Sequence, residues 1–196
     1  MFAQQLYVIR HGQTDWNAER RLQGQADIPV NAKGRQQAAS NGKMLAGLIG
    51  KAEGWDFVAS PLGRTRETME ILRAAMGLEP GSYRTDDRLR EVHFGDWQGH
   101  TFAELEAAKP GSTLLRNSDK WNFRPPGADA ESYGLLQFRI GDWFLEARKP
   151  SIVVAHGGTV RCLFRIVGGM DEKQASNIDI PQDRILQISG GEIGWV

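Results

Sequence analysis

The chain has 196 residues, enough for one substantial core and for one domain or at most two. Its 24 Lys and Arg balance 24 Asp and Glu, which excludes general binding to nucleic acid or a membrane surface by bulk charge. The lone cysteine, Cys162, excludes an internal disulfide framework and suits a reducing compartment.

No apolar run approaches the roughly 20 residues of a membrane span. The start lacks the basic region followed by an apolar stretch that marks a signal peptide. A cytoplasmic globular protein is expected.

The first apolar run, Leu6-Tyr7-Val8-Ile9, stops at Arg10-His11-Gly12. Val8 and Ile9 suit a buried strand. Gly12 is read as a turn in a conformation that other residues resist. Arg10 and His11 then fall at the carboxyl end of a strand, where open α/β sheets bind ligands. Arginine offers a planar fork of donors to phosphate oxygens. Histidine serves as nucleophile or acid/base near neutral pH. From this stretch alone, a strand capped by two surface polar residues reads equally well.

Gln13 to Gly34 reads as a donor-rich loop carrying Asn17, Arg21, Gln23, Gly24 and Asp27. Arg35 to Ile49 is helical, with Ala38, Gly42, Leu45 and Ile49 at helical spacing and Gly50 at its end. Trp55 to Ser60 reads as a second strand. Ser60 then suits a helix N-cap and Pro61 the first helical position. Arg64 falls in the first turn, where the helix end is itself partly positive. A cation there makes sense beside a bound anion, whereas Arg66 points elsewhere and reads as solvated.

Asp87 to Gly99 reads as a structured loop. In it Glu91 stands among Leu89, Val92 and Phe94, a setting that suits a proton donor; a surface ion pair with Arg88 or Arg90 is the alternative. His93 and His100 read as structural or surface residues. A short helix over Phe102–Ala108 follows. Lys109 to Ala130 is long, irregular and proline-rich, with Trp121 and Phe123, and is expected to form a flap over the site. Glu131 to Arg148 is an amphipathic helix with Tyr133, Leu136, Ile140, Trp143 and Phe144 as its core stripe.

Ser151 to Ala155 is a second apolar run ending in histidine and glycine, at His156-Gly157-Gly158. The glycines would let backbone N–H groups approach an anion at a helix start, and Cys162 falls on the apolar face of that helix. Arg184 to Ser189, Gly190-Gly191 and Ile193 to Trp195 form a hairpin signal. Alternating strands and helices predict a three-layer α/β/α sandwich with a mostly parallel central sheet.

In this order, Arg10-His11-Gly12-Gln13-Thr14-Asp15-Trp16-Asn17, Ser60-Pro61-Leu62-Gly63-Arg64-Thr65, Leu89-Arg90-Glu91 to Gly99 and Val154-Ala155-His156-Gly157-Gly158 resemble the motifs of the histidine phosphatase superfamily, the phosphoglycerate mutase-like proteins. The resemblance spans nearly the whole chain and points to its phosphatase branch. It implies one domain over 1–196 and a phosphoryl group carried on His11. It further implies that Arg10, Arg64 and His156 grip the phosphate and that Glu91 protonates the leaving oxygen. Asn17 would add a phosphate contact, and Gln23, Gly24 and Gly157 would line the substrate site. No metal and no organic cofactor is implied. The expected partner is a small phosphate ester, with the C-terminal edge strand able to pair two copies into a homodimer. A cofactor-dependent phosphoglycerate mutase and a non-catalytic phosphate-binding module are the alternatives.

Overall fold

The opening strand, β1 (Leu6–Arg10), lies in the middle of a six-stranded sheet in the computed structural model, which describes residues 5–196. The signal-peptide expectation falls partly on residues 1–4, outside the described residues. The chain continues through α1 (Asp15–Ala18), α2 (Ala32–Ile49), β2 (Asp56–Ala59), α3 (Gly63–Ala75), β3 (Arg84–Thr85), α4 (Phe102–Ala108) and α5 (Leu114–Ser118). It closes with α6 (Tyr133–Glu146), β4 (Ser151–Ala155), α7 (Gly157–Ile166), α8 (Glu172–Asn177), β5 (Ile185–Ser189) and β6 (Glu192–Trp195). The strand order is β3-β2-β4-β1-β5-β6. The first four are parallel, while β5 runs antiparallel to β1 and β6 antiparallel to β5.

β1 and β4 are apolar at nearly every position because both of their faces are covered. Leu6 and Val8 enter a cluster with Leu136 and Trp143 of α6 and Leu163 of α7. Tyr7 and Ile9 enter a second cluster with Leu45 of α2 and Met69 and Leu72 of α3. The expected sandwich, with helices on both faces of a mostly parallel sheet, is the observed architecture. The parallel register runs from Leu6↔Ser151 to Arg10↔Ala155. His11 and His156 therefore each follow the last paired residue of adjacent central strands, and the His11 N–H donates to Ala155 O at 2.9 Å.

Several local expectations are corrected. Gly12 does not have a positive φ. It is needed because a Cβ there would stand 2.4 Å from Gly34 O, so backbone packs directly on backbone. The expected loop from Gln13 to Gly34 contains α1, capped by Thr14, and α2 starts at Ala32 behind the cap residue Asn31. The second predicted helix starts at Gly63 rather than at Pro61, and no side chain caps it. Ser60 is taken by another partner, described below. The α6 helix is shorter at both ends than expected, with Ser132 as its cap. The segment 109–130 carries α5, and its Trp121 is 3% exposed in the core, stacked on Tyr133 at 5.6 Å. Among the described residues no helix is long and apolar enough to cross a membrane.

Gly12→Ala should destabilise the fold by about 1–3 kcal/mol, because the atoms in its way are backbone. At about 2–4 °C per kcal/mol for a chain of this size, thermal unfolding should show a drop of several degrees.

Candidate active site

The loops after β1, β2 and β4 converge on His11 and His156, whose ring centroids are 5.3 Å apart. His11 is 3% exposed and its Nδ1 is 2.8 Å from Gly12 O. A carbonyl oxygen only accepts, so Nδ1 carries the proton and Nε2 keeps its lone pair. Burial first, then Arg64 and Arg10, holds this imidazole well below its ordinary pKa.

His156 is fully buried. Its Nδ1 accepts from Arg64 Nη2 at 3.2 Å, which leaves Nε2–H to donate to Ser60 Oγ at 2.8 Å. Burial, Arg64 and His11 keep it neutral as well. Ser60 thus fixes the His156 ring instead of capping α3.

Arg64 lies in the first turn of α3 and is 1% exposed. Its guanidinium donates to Gly24 O at 2.6 Å and Ala26 O at 2.7 Å. Burial pulls it down to about 10. Arg10 donates through Nη1 to Ile180 O at 2.6 Å. Burial, followed by Arg161, lowers it too. The Nε–H of both arginines is buried with no hydrogen-bond partner among the described residues. A buried unpaired donor costs about 1–3 kcal/mol, so two such donors around two neutral histidines favour an anion between them.

Glu91 makes no ion pair with Arg88 or Arg90, which bind Asp86, Glu146 and Asp87. Its carboxylate accepts from the Val92 N–H at 2.9 Å and the Gly158 N–H at 3.1 Å. The Gly158 N–H, read from sequence as open to an anion, is thus given to Glu91. A Cβ on Gly158 would fall 2.2 Å from Glu91 Oε1, so the glycine makes room for the carboxylate.

The expected substrate-lining residues divide. Asn17 Oδ1 accepts from Thr14 N at 3.2 Å and Gln182 Nε2 at 3.1 Å. Gln23 is buried and accepts from Thr14 Oγ1 at 3.0 Å. Gly24, at a φ of +54°, offers its carbonyl to Arg64. Gln23 and Gly24 therefore support the other residues from behind. Gly157 stands beside Arg10, whose Nε would lie 3.8 Å from a Cβ placed there.

Three contributors escaped the sequence reading. Ser60 holds His156, and Gln182 bonds His11 O at 2.9 Å as well as Asn17. Arg139 of α6 donates to the carbonyls of Arg88 (2.7 Å), Arg90 and Glu91 (3.0 Å) and pairs with Glu131 at 2.8 Å. It fixes the backbone that carries Glu91. Only Ser60 carried a signal, its place at the end of an apolar strand. Among the described residues no group of three or more His, Cys, Asp or Glu is placed to hold a metal ion. A cleft of about 850 Å³ lies at the amino end of β2 beside Trp55 and Tyr83, away from these residues.

The sequence profile of the histidine phosphatase superfamily (branch 1) matches residues 6–196. A glucosyl-3-phosphoglycerate phosphatase of Mycobacterium tuberculosis is 36% identical over 174 residues, covering 83% of this chain and 74% of its own length. A probable phosphoglycerate mutase of Salmonella paratyphi C is 32% identical over 197 residues, covering 98% and 87%. Among solved structures, a mycobacterial glucosyl-3-phosphoglycerate phosphatase in complex with VO3 superposes with a TM-score of 0.78 at 31% identity, covering 99% of this chain and 96% of that one. The family match and the phosphatase relatives lead to one conclusion: the chain belongs to the histidine phosphatase superfamily, branch 1, as a phosphomonoester hydrolase.

Proposed function

We propose that this enzyme hydrolyses small phosphate esters without a metal, through a phosphohistidine on His11. The observation that carries this reading is the His11 ring, buried and neutral, with Nδ1–H tied to Gly12 O and Nε2 left nucleophilic. Nε2 attacks phosphorus and the bond to the leaving oxygen breaks. Glu91 supplies the proton that makes that oxygen an alcohol. Glu91 then takes a proton from water as the water oxygen attacks phosphorus, and the P–N bond breaks to give inorganic phosphate and free His11. Arg10, Arg64 and Asn17 hold the phosphoryl oxygens; His156, expected to grip them as well, has both ring nitrogens engaged by Arg64 and Ser60 and instead keeps the Arg64 fork aimed. Phosphoryl transfer asks a protein mainly for positioning and charge stabilisation, which these residues supply from rigid supports.

In the same reading, residues 1–196 form one domain in which 109–130 covers the leaving-group side. The reading places the enzyme in the cytoplasm, where its lone, fully buried Cys162 stays reduced. The name of the Salmonella relative favours a second reading, as a mutase. Interconversion of 2- and 3-phosphoglycerate on priming with the bisphosphate would support the mutase, and its absence beside steady phosphate release would support the hydrolase.

In p-nitrophenyl phosphate assays with EDTA, the wild type should turn over and His11→Ala should lose about 10³-fold or more. Equal turnover in the two would refute His11 as nucleophile.

Arg139→Gln should slow hydrolysis of alkyl phosphates by about 10–100-fold through a misplaced Glu91. The loss should be smaller for p-nitrophenyl phosphate, whose leaving group needs less protonation; comparing kcat on the two substrates reads this out.

The two buried neutral histidines also set a pH dependence. Unfolding lets them bind protons below their ordinary value of about 6.5, so stability falls as pH drops through that value, by up to about 1.4 kcal/mol per pH unit for each. Melting in phosphate-free buffer from pH 8 to pH 5 should show the decline, and His156→Gln should flatten it.

A further inference from the structure

Arg73, in the last turn of α3, has no part in the chemistry above. The residue is 6% exposed, yet it forms no ion pair among the described residues. Arginine is seldom so buried without a partner of opposite charge. Its Nε–H donates to Glu79 O at 2.8 Å, and its guanidinium lies 4.2 Å from the centre of the Phe57 ring. Those contacts use one N–H and one face of the fork. Neither Nη group hydrogen-bonds a described residue or is sealed from solvent, so both face open space.

That space is the cleft at the amino end of β2, which Arg73 lines with Trp55, Phe57, Met76, Leu78 and Tyr83. Trp55, Met76, Leu78 and Tyr83 pack on the core cluster under α2 and α3 and are only partly covered. Two of the rings are held in place: Trp55 stacks on Tyr7 at 5.5 Å, and the Tyr83 hydroxyl donates to Glu70 at 2.9 Å. The remaining charges of the lining balance. Asp56 is paired with Arg84 at 2.8 Å, and Lys51 and Glu53, one of each sign, are exposed. The charge left over is that of Arg73. At about 850 Å³ the cleft has the size of a small-molecule site. It is separate from the phosphate site, because Arg64 and Arg73 stand near opposite ends of one helix, about 13 Å apart along its axis.

We propose that this cleft is a second ligand site, which takes a small aromatic carboxylate. The carboxylate accepts from the Nη groups of Arg73, whose planar fork matches its two oxygens. The ring covers the half-buried apolar side chains beside it. A neutral ring would leave Arg73 without a counter-charge, and a carboxylate without a ring would leave the apolar lining wet.

The test is a fluorine NMR titration of the wild type with 4-(trifluoromethyl)benzoate and with its uncharged amide, in saturating inorganic phosphate so that Arg10 and Arg64 are occupied. The benzoate should bind about 10-fold more tightly than the amide, the worth of one charge-assisted pair. Arg73→Met should bring that ratio towards one. Gly81→Leu is a second variant, independent of the Arg73 contacts: Gly81 lines the cleft, and a Cβ there meets no atom within 4 Å. It should weaken the benzoate at least 5-fold by occupying the space. Melting curves confirm that each variant is folded. No binding, equal affinity for benzoate and amide, or affinities indifferent to both substitutions would overturn the site. Loss of binding when phosphate is added would place the benzoate at Arg10 and Arg64 and overturn it too. So would a dimer, seen by sedimentation, that shuts the probe out, since the cleft would then be an interface between copies.

Discussion

Two guanidinium groups sit in the interior of this protein with no carboxylate at ion-pair distance among the described residues. Much of the site follows from that. Arg64 and Arg10 are held by carbonyls alone, those of Gly24, Ala26 and Ile180. Carbonyls orient the forks without neutralising them. Their charge acts on what lies between them, and what lies between them is a pair of imidazoles kept neutral. A protonated histidine there would add a third cation to a dry site. A neutral one offers a lone pair, and an arriving phosphate supplies the negative charge that the arginines lack. In the proposed reaction little has to reorganise, because the Nε–H groups of both arginines are already buried there without a partner among the described residues.

The sheet makes this arrangement affordable. β1 and β4 are covered on both faces, and that burial offsets the desolvation of the charged groups at their ends. The in-register pairing of the two strands delivers the histidines together, while the first turn of α3 brings Arg64 against His156. Glu91 comes from a different kind of support, a loop with two short 3-10 turns. It needs the α6 arginine behind it for the precision that the strands give the histidines.

The parts of this design legible in the sequence were those written in consecutive residues. Apolar runs ending in Arg-His-Gly and His-Gly marked the strand ends, and the stripe from Tyr133 to Phe144 marked the core face of α6. The parts that were not legible depend on contacts between distant segments. Arg139 occupies an unremarkable polar position on its helix, and only the folded chain shows three carbonyls of the 88–91 segment in front of it. Gly12 could be recognised as a required glycine, yet the reason was misread. A local signal suggested a turn, whereas the requirement comes from Gly34, which lies against it in the fold. Ser60 illustrates competition between two uses of one hydroxyl. Its place before a helix fitted a cap, but His156 offered the better partner and α3 began later without one. Trp121 shows that a polar, proline-rich segment can still anchor itself in the core.

The central place of β1 has a consequence for how the chain is made. Both of its partners come late: β4 begins 145 positions after Leu6, and β5 later still. At ribosomal speeds of about 5–20 residues per second, the opening strand emerges roughly 7–30 s before its first neighbour exists. For that interval Leu-Tyr-Val-Ile is an apolar segment without a sheet, and His11 is a solvated side chain. A nascent chain that stops before Ser151 lacks both β4 and His156, so the paired histidines can come together only after that stretch has emerged.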